Sequence, residues 1–240
     1  MPRFFVNDII GDTFLLDGEN GRHASRSLRM KVGEKLTLCD GKGTDFFCEI
    51  TEINSDEVSL RVNEKKENTA ECPVKIYLYQ CLPKADKMDL IVQKAVELGV
   101  YKIIPVISSR CITSYKGKEE KKIQRLNKIS LEAAKQSGRG IVPEVSFPQS
   151  IVESVEKSCG KRILFYEKGG KSISEILETE EKEISVLIGP EGGFSEEEVE
   201  FARKNGFFIG TLGKRIVRTE TAGLIAMSVL TYEVENKWKT

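Results

Sequence analysis

The sequence predicts two domains: a small N-terminal β-barrel over residues 1–70 and a C-terminal α/β domain with a parallel sheet over residues 71–240. Three observations lead there. The first 70 residues carry short apolar runs broken by turn signals, as small barrels do. From Val74 onward strands and amphipathic helices alternate, which demands a parallel sheet covered on both faces. The polar stretch Asn63 to Glu71 separates the two patterns and reads as a linker.

In the first domain the strands are Phe4-Phe5-Val6, Lys35-Leu36-Thr37-Leu38, Phe46 to Ile50 and Val58 to Val62. Asp17-Gly18 and Asp40-Gly41-Lys42-Gly43 supply turns between them. In the second, Val74 to Leu82 is an apolar strand. Lys87 to Val100 is a helix whose apolar face holds Met88, Ile91, Val92, Ala95, Val96 and Leu98, with Gly99 as its stop. Lys102 to Ile107 is the next strand, and Lys118 to Ser137 a basic amphipathic helix ending at Gly138. Strands at 162–166, 184–189 and 207–212 then alternate with helices near 172–179, 195–205 and 219–235. Ser195 with Glu198 forms a capping box, and Thr219 with Glu220 opens the last helix.

Composition excludes several functions. No run of eighteen apolar residues exists and the N-terminus lacks a signal-peptide pattern, so a cytoplasmic protein with no membrane partner is expected. Six scattered cysteines without Cys-x-x-Cys read as buried or idle thiols. With His23 the one histidine, neither a Ser-His-Asp triad nor a His-carboxylate metal centre is expected, and no metal. The net charge of zero hides a segregation: residues 110–139 hold nine Lys/Arg against three Glu, and residues 171–200 hold two Lys against ten Glu. Arg22, Arg26, Arg29 and Lys31 add a second basic run with no acid between them. One such run suits a solvated helix face; two suit a polyanionic partner.

Two loops carry the chemistry. Leu187-Ile188-Gly189-Pro190-Glu191-Gly192-Gly193-Phe194-Ser195 and Leu212 to Ala222 each break from an apolar run into a glycine bend and then a helix start. Such bends at strand ends suit a small-molecule pocket, although tight turns alone would explain the glycines. Neither is a phosphate cradle: Gly-Lys-Ser/Thr is missing, and Glu191 stands where a polyphosphate would need amides or a cation. A carboxylate beside small residues suits hydroxyls or a positively charged ligand.

At these residues the chain resembles the SPOUT class of RNA methyltransferases, and more closely the ribosomal RNA small subunit methyltransferase E family. The likeness runs in order along the whole sequence. It takes in Met1 to Val6, His23 with Leu28-Arg29, Leu82-Pro83-Lys84 with Lys87-Met88, Lys94 to Val100, and Pro105 with Ser109-Arg110. It continues through Glu132 to Arg139, Gly189 to Phe194 and Leu212 to Ala222. Ser27 and Val217 depart mildly from the family pattern, touching packing only.

The resemblance implies an N-terminal PUA-like RNA-binding barrel and a knotted C-terminal SPOUT domain, forming a homodimer through the last helix (Leu224, Ile225, Met227, Leu230 and Thr231). It implies S-adenosyl-L-methionine as cofactor and methylation of uridine N3 in 16S rRNA of the small ribosomal subunit. Cofactor contacts would come from Leu164 and Glu167, from Gly189, Glu191, Gly192 and Gly193, and from Leu212, Gly213, Ile216, Val217 and Ala222. Arg218 would hold charge developing on the uracil, with Glu220 either orienting it or capping the helix. RNA would meet Arg22, His23, Arg26, Arg29, Lys84, Arg110, Gln136 and Arg139. Three alternatives compete: methylation of another RNA position, an RNA-binding ribosome-assembly factor without catalysis, and a nucleotide-dependent oxidoreductase. The last lacks Gly-x-Gly-x-x-Gly after the first α/β strand.

Overall fold

The structure is a computed structural model that describes residues 1–7, 9–115, 117–177 and 180–237. The chain divides into two compact units: Met1–Glu71 with Ala134–Val142, and Cys72–Ala133 with Pro143–Thr240.

In the first unit, β1 (Arg3–Phe5), β2 (Thr13–Leu16), β3 (Lys35–Cys39), β4 (Thr44–Asn54) and β5 (Glu57–Glu67) form one sheet in the order β1-β3-β4-β5-β2. The β1–β3 pair is parallel and the others antiparallel. Alternating residues on one face, among them Phe4, Leu16, Leu36, Leu38, Ile50, Val58 and Leu60, close a core. The expected linker starts later than its polarity suggests. Residues 64–67 extend β5 opposite Thr44–Phe47, and the Lys65 and Lys66 ammoniums sit over the Phe46 and Phe47 rings at 5.4 and 5.8 Å. Cross-strand pairing and cation–π contacts make a strand of residues that read as loop.

Between β2 and β3 runs a short helix, α1 (Gly18–Arg22), continuing into a π-helical turn at His23–Ser27. Two glycines in four residues mask it in the sequence. A Cβ on Gly21 would lie 2.1 Å from the Asp56 carbonyl oxygen, so close packing, not a turn, requires that glycine.

The second unit holds a parallel sheet of seven strands: β6 (Lys75–Cys81), β7 (Lys102–Ile107), β8 (Glu144–Val145), β9 (Gln149–Ser150), β10 (Lys161–Phe165), β11 (Glu183–Ile188) and β12 (Phe208–Gly210). Their order is β12-β10-β11-β6-β7-β8, with β9 also on β7. Helices α2 (Lys87–Glu97), α3 (Glu119–Ser137), α4 (Ile151–Lys157), α5 (Ile173–Ile176), α6 (Glu196–Lys204) and α7 (Thr219–Lys237) follow the strands. Tyr79, Cys81, Ile104, Val106, Leu164 and Leu187 pack with Val155 of α4 and with Val199 and Ala202 of α6 on one face. α2 and α7 pack together on the other, α7 also meeting β6 and β11. Burial on both faces explains the near-continuous apolar strands.

α7 corrects the expected dimer face. Met227 and Leu230 are fully buried within the chain, and the Thr231 hydroxyl donates to the Leu98 carbonyl at 2.8 Å. Val229 and Tyr232 are the apolar residues that this helix leaves most exposed. No described helix is long and apolar enough to cross a membrane.

Candidate active site

β12, β10 and β11 are neighbours, so the loops leaving their carboxyl ends are neighbours too. These are the segments after Phe165, Ile188 and Gly210. Together they line a cavity of about 280 Å³. Of the expected cofactor contacts, Glu167, Gly189, Glu191, Gly193, Leu212, Gly213, Ile216, Val217 and Ala222 line it. Leu164 does not: its side chain alternates onto the core face of β10 and is fully buried there. Gly192 stands at the turn outside the lining, facing Arg110. Phe165, Ile188, Pro190, Phe194, Lys214 and Arg215 are lining residues that sequence reasoning did not single out. Lys214 and Arg215 were readable, since the loop carries three cations within five residues.

The first loop is a tight turn, with the Gly193 amide on the Pro190 carbonyl at 2.9 Å. Gly193 has φ +66°, and a Cβ there would stand 2.7 Å from Glu167 Oε1. Glycine thus lets the Glu167 carboxylate lie against the turn. Phe194 is fully buried beneath it. Ser195 caps α6, and Glu198 returns to the Ser195 amide at 2.9 Å while also accepting from the Ser109 amide at 2.8 Å.

Three clamps fix this loop. Arg110 Nη1 donates to the Gly192 carbonyl at 2.9 Å and the Phe194 carbonyl at 3.3 Å, so a residue expected to face RNA holds the site's backbone. Gln80 Nε2 donates to Thr219 Oγ1 at 2.9 Å, and Thr219 donates to the Gly189 carbonyl at 2.6 Å. Both side chains are buried, linking β6, the start of α7 and the first loop. The third clamp is ionic. Glu191 Oε1 accepts from the Lys84 amide at 2.9 Å and from Lys87 Nζ at 3.4 Å, while Lys87 Nζ lies 3.1 Å from Glu220 Oε2. Burial works to raise the Glu191 pKa, but the Lys84 amide and the Lys87 ammonium together hold it below the usual value. Glu220, mainly, with Glu191 raises that of Lys87.

Glu220 pairs with Lys87, and among the described residues no ion pair joins it to Arg218, which it was expected either to orient or to leave for a helix cap. Arg218 is exposed on the cavity wall and forms no ion pair among the described residues. Nearby, Cys111 departs from the idle-thiol expectation. The Cys81 thiol and the Ser108 hydroxyl and amide stabilise its thiolate, lowering its pKa to about 6.

The fold and these loops match known proteins. A family model described as an RNA methyltransferase domain matches residues 70–231, and one described as an RNA methyltransferase PUA domain matches residues 16–63. The ribosomal RNA small subunit methyltransferase E of Bacillus subtilis is 37% identical, the match covering 93% of this chain and 91% of that one. The chain belongs to the ribosomal RNA small subunit methyltransferase E family. A family member from Neisseria gonorrhoeae, solved bound to S-adenosyl methionine, superposes with a TM-score of 0.88 at 34% identity, with 97% of each chain covered. A methyltransferase from Legionella pneumophila, also solved with this cofactor, gives 0.86 at 33% identity over 96% of each chain.

This methyltransferase E family member is thus a SPOUT α/β domain with an N-terminal PUA domain. In its first unit the expected RNA contacts part company. His23, Arg29 and Gln136 are exposed, His23 meeting Phe4 edge-on with centroids 6.0 Å apart. Arg22 and Arg26 are exposed too, yet both pair with Asp56, at 3.8 and 2.5 Å. The basic run is partly neutralised by an acid thirty residues away. Arg139 is a correction. It is 2% exposed, its guanidinium is paired with Glu71, and the same carboxylate accepts the Gly140 and Ile141 amides at 2.9 and 3.1 Å. A buried, paired guanidinium is a structural group and offers nothing to a phosphate.

Proposed function

We propose that this protein transfers a methyl group from S-adenosyl-L-methionine to N3 of a uridine in 16S rRNA of the small ribosomal subunit, acting as a homodimer. The observation that carries the reading is the cavity at three adjacent strand ends, walled by carboxylates and apolar groups and edged by a free Arg218.

The residues present fit the cofactor. Phe165, Ile188, Leu212 and Val217 give an apolar slot for a flat heterocycle, and Glu167 sets a carboxylate against the Gly193 turn, favouring hydroxyls or positive charge. When bound, S-adenosyl-L-methionine supplies an electrophilic methyl group on a sulfonium. The chain's own work is positioning and charge. The clamped loops hold their backbone groups in place before any ligand arrives. Uridine N3 becomes nucleophilic as its proton leaves to water, and Arg218, always protonated, holds the charge that spreads onto the uracil carbonyls. Lys84 of the second unit, and His23, Arg29 and Gln136 of the first, take RNA contacts. Arg22 and Arg26 do so by exchanging Asp56 for phosphate. Residues 1–70 serve RNA recognition and residues 71–240 the transfer; the dimer forms on the α7 face that bears Val229 and Tyr232.

The test is methyl transfer to intact small subunits and to naked rRNA, read by nucleoside analysis, with Arg218→Ala beside the wild type. Expected are 3-methyluridine from the wild type and at least a 100-fold loss of turnover in Arg218→Ala, of the order seen when a charge-stabilising donor is removed. Methylation at any other uridine atom would overturn the assignment of N3.

A further inference from the structure

We propose that Lys87 is a positioning residue for methyl transfer, occupying Glu220 and Glu191 together so that the Arg218 guanidinium stays free for the substrate. The inference rests on the reading of Arg218 as the group that holds the uracil charge.

Arg218, just before α7, lines the cavity, and Glu220 stands two positions on in the first turn of that helix. Two positions apart at a helix start, the two side chains do not face each other by geometry alone, but both are long enough to meet when neither is held by another charge. Lys87 claims the glutamate. Its ammonium lies 3.1 Å from Glu220 Oε2 and 3.4 Å from Glu191 Oε1, with the three side chains 28, 14 and 26% exposed. Partial burial shields these pairs from water more than a surface bridge is shielded. Lys87 is also well anchored: it opens α2, and three residues before it the Lys84 amide binds the same Glu191 oxygen. One cation therefore joins the 189–194 loop to the α7 start while leaving the neighbouring Arg218 without a carboxylate partner among the described residues.

Removal of Lys87 leaves Glu220 with a mostly sheltered charge and without its cation, two positions from an Arg218 that has no ion pair among the described residues. The new pair would draw Arg218 off the substrate. The defect is then electrostatic, and neutralising Glu220 should relieve it, whereas damage to a mere scaffold would persist or deepen.

The experiment compares the wild type, Lys87→Met, Lys87→Arg, the double variant Lys87→Met/Glu220→Gln, and Arg218→Ala. It measures kcat on small subunits, S-adenosyl-L-methionine affinity by calorimetry, and thermal midpoints. Expected is a kcat fall of tenfold or more in Lys87→Met with cofactor affinity reduced fivefold or less. Lys87→Arg should stay within about threefold of wild type, and the double variant should run at least fivefold faster than Lys87→Met. Wild-type kcat in Lys87→Met, or a double variant no faster than the single one, would overturn the proposal while the role of Arg218 stands. Full turnover in Arg218→Ala would remove both.

Discussion

Arg139 shows what a single charge does when its surroundings are counted. In sequence it closes a basic helix and invites phosphate. In the structure the chain folds back at Gly138, and the Glu71 carboxylate receives the Arg139 guanidinium with two consecutive amides. Removing one partner of a buried pair strands the other, a cost of about 3–5 kcal/mol. Arg139→Ala should therefore lower the stability of the first unit by that order, measured by urea denaturation. Unchanged stability with weaker RNA binding would restore the phosphate role. The reason sequence misread this residue is long range: its partner lies 68 positions away. The same holds for Asp56 against Arg22 and Arg26, and for Lys87 between Glu191 and Glu220. Contacts between neighbours, such as the capping box of Ser195 and Glu198, were legible because they close within one helical turn, whereas the Ser109 amide on Glu198 lies 89 positions away.

At the scale of elements, legibility follows burial. β6, β7, β10 and β11 are covered on both faces, so their runs are nearly continuously apolar after the first residue or two, and the sequence locates them within a residue or two. β2, with burial on alternate residues, and α1, which contains Gly18 and Gly21, carry no such signal and were missed. α4 was missed although Ser150 and Glu153 form a capping box at its start. The loops that form the cavity were legible because glycine marks where backbone must bend or approach closely. Gly193 makes that dependence measurable. Its φ of +66° costs an L residue about 1–2 kcal/mol, and a Cβ would displace the Glu167 carboxylate. Gly193→Ala should fold, lose stability of that order, and bind S-adenosyl-L-methionine at least tenfold more weakly by calorimetry. Unaltered affinity in the destabilised variant would show that the Glu167 position is irrelevant to the ligand.

At the scale of the whole molecule each unit builds a core of its own, and the cavity lies in the second unit. Composition placed the division near residue 70, but a pattern read along the chain cannot show that Ala134–Val142 joins the first unit. Besides the bonds to Glu71, its ties there include the Arg3 guanidinium and the Cys39 thiol to the carbonyls of Arg139 and Gly140, and the Asn68 amide to that of Gly138. Ligand linkage can separate the two cores. A ligand at about 100 times its Kd stabilises the state that binds it by about 2.7 kcal/mol, which slows exchange roughly 100-fold for amides that open only when the site is lost. With S-adenosyl-L-methionine, such slowing is expected in β10, β11 and β12, which end at the cavity, and in the first turn of α7. Amides of Leu36, Leu38 and Ile50, in the core of the first unit, should exchange as before. Hydrogen exchange with and without the cofactor checks this. Equal protection in both cores would mean that they open as one cooperative body, and that the ligand's stabilisation is shared by the whole chain.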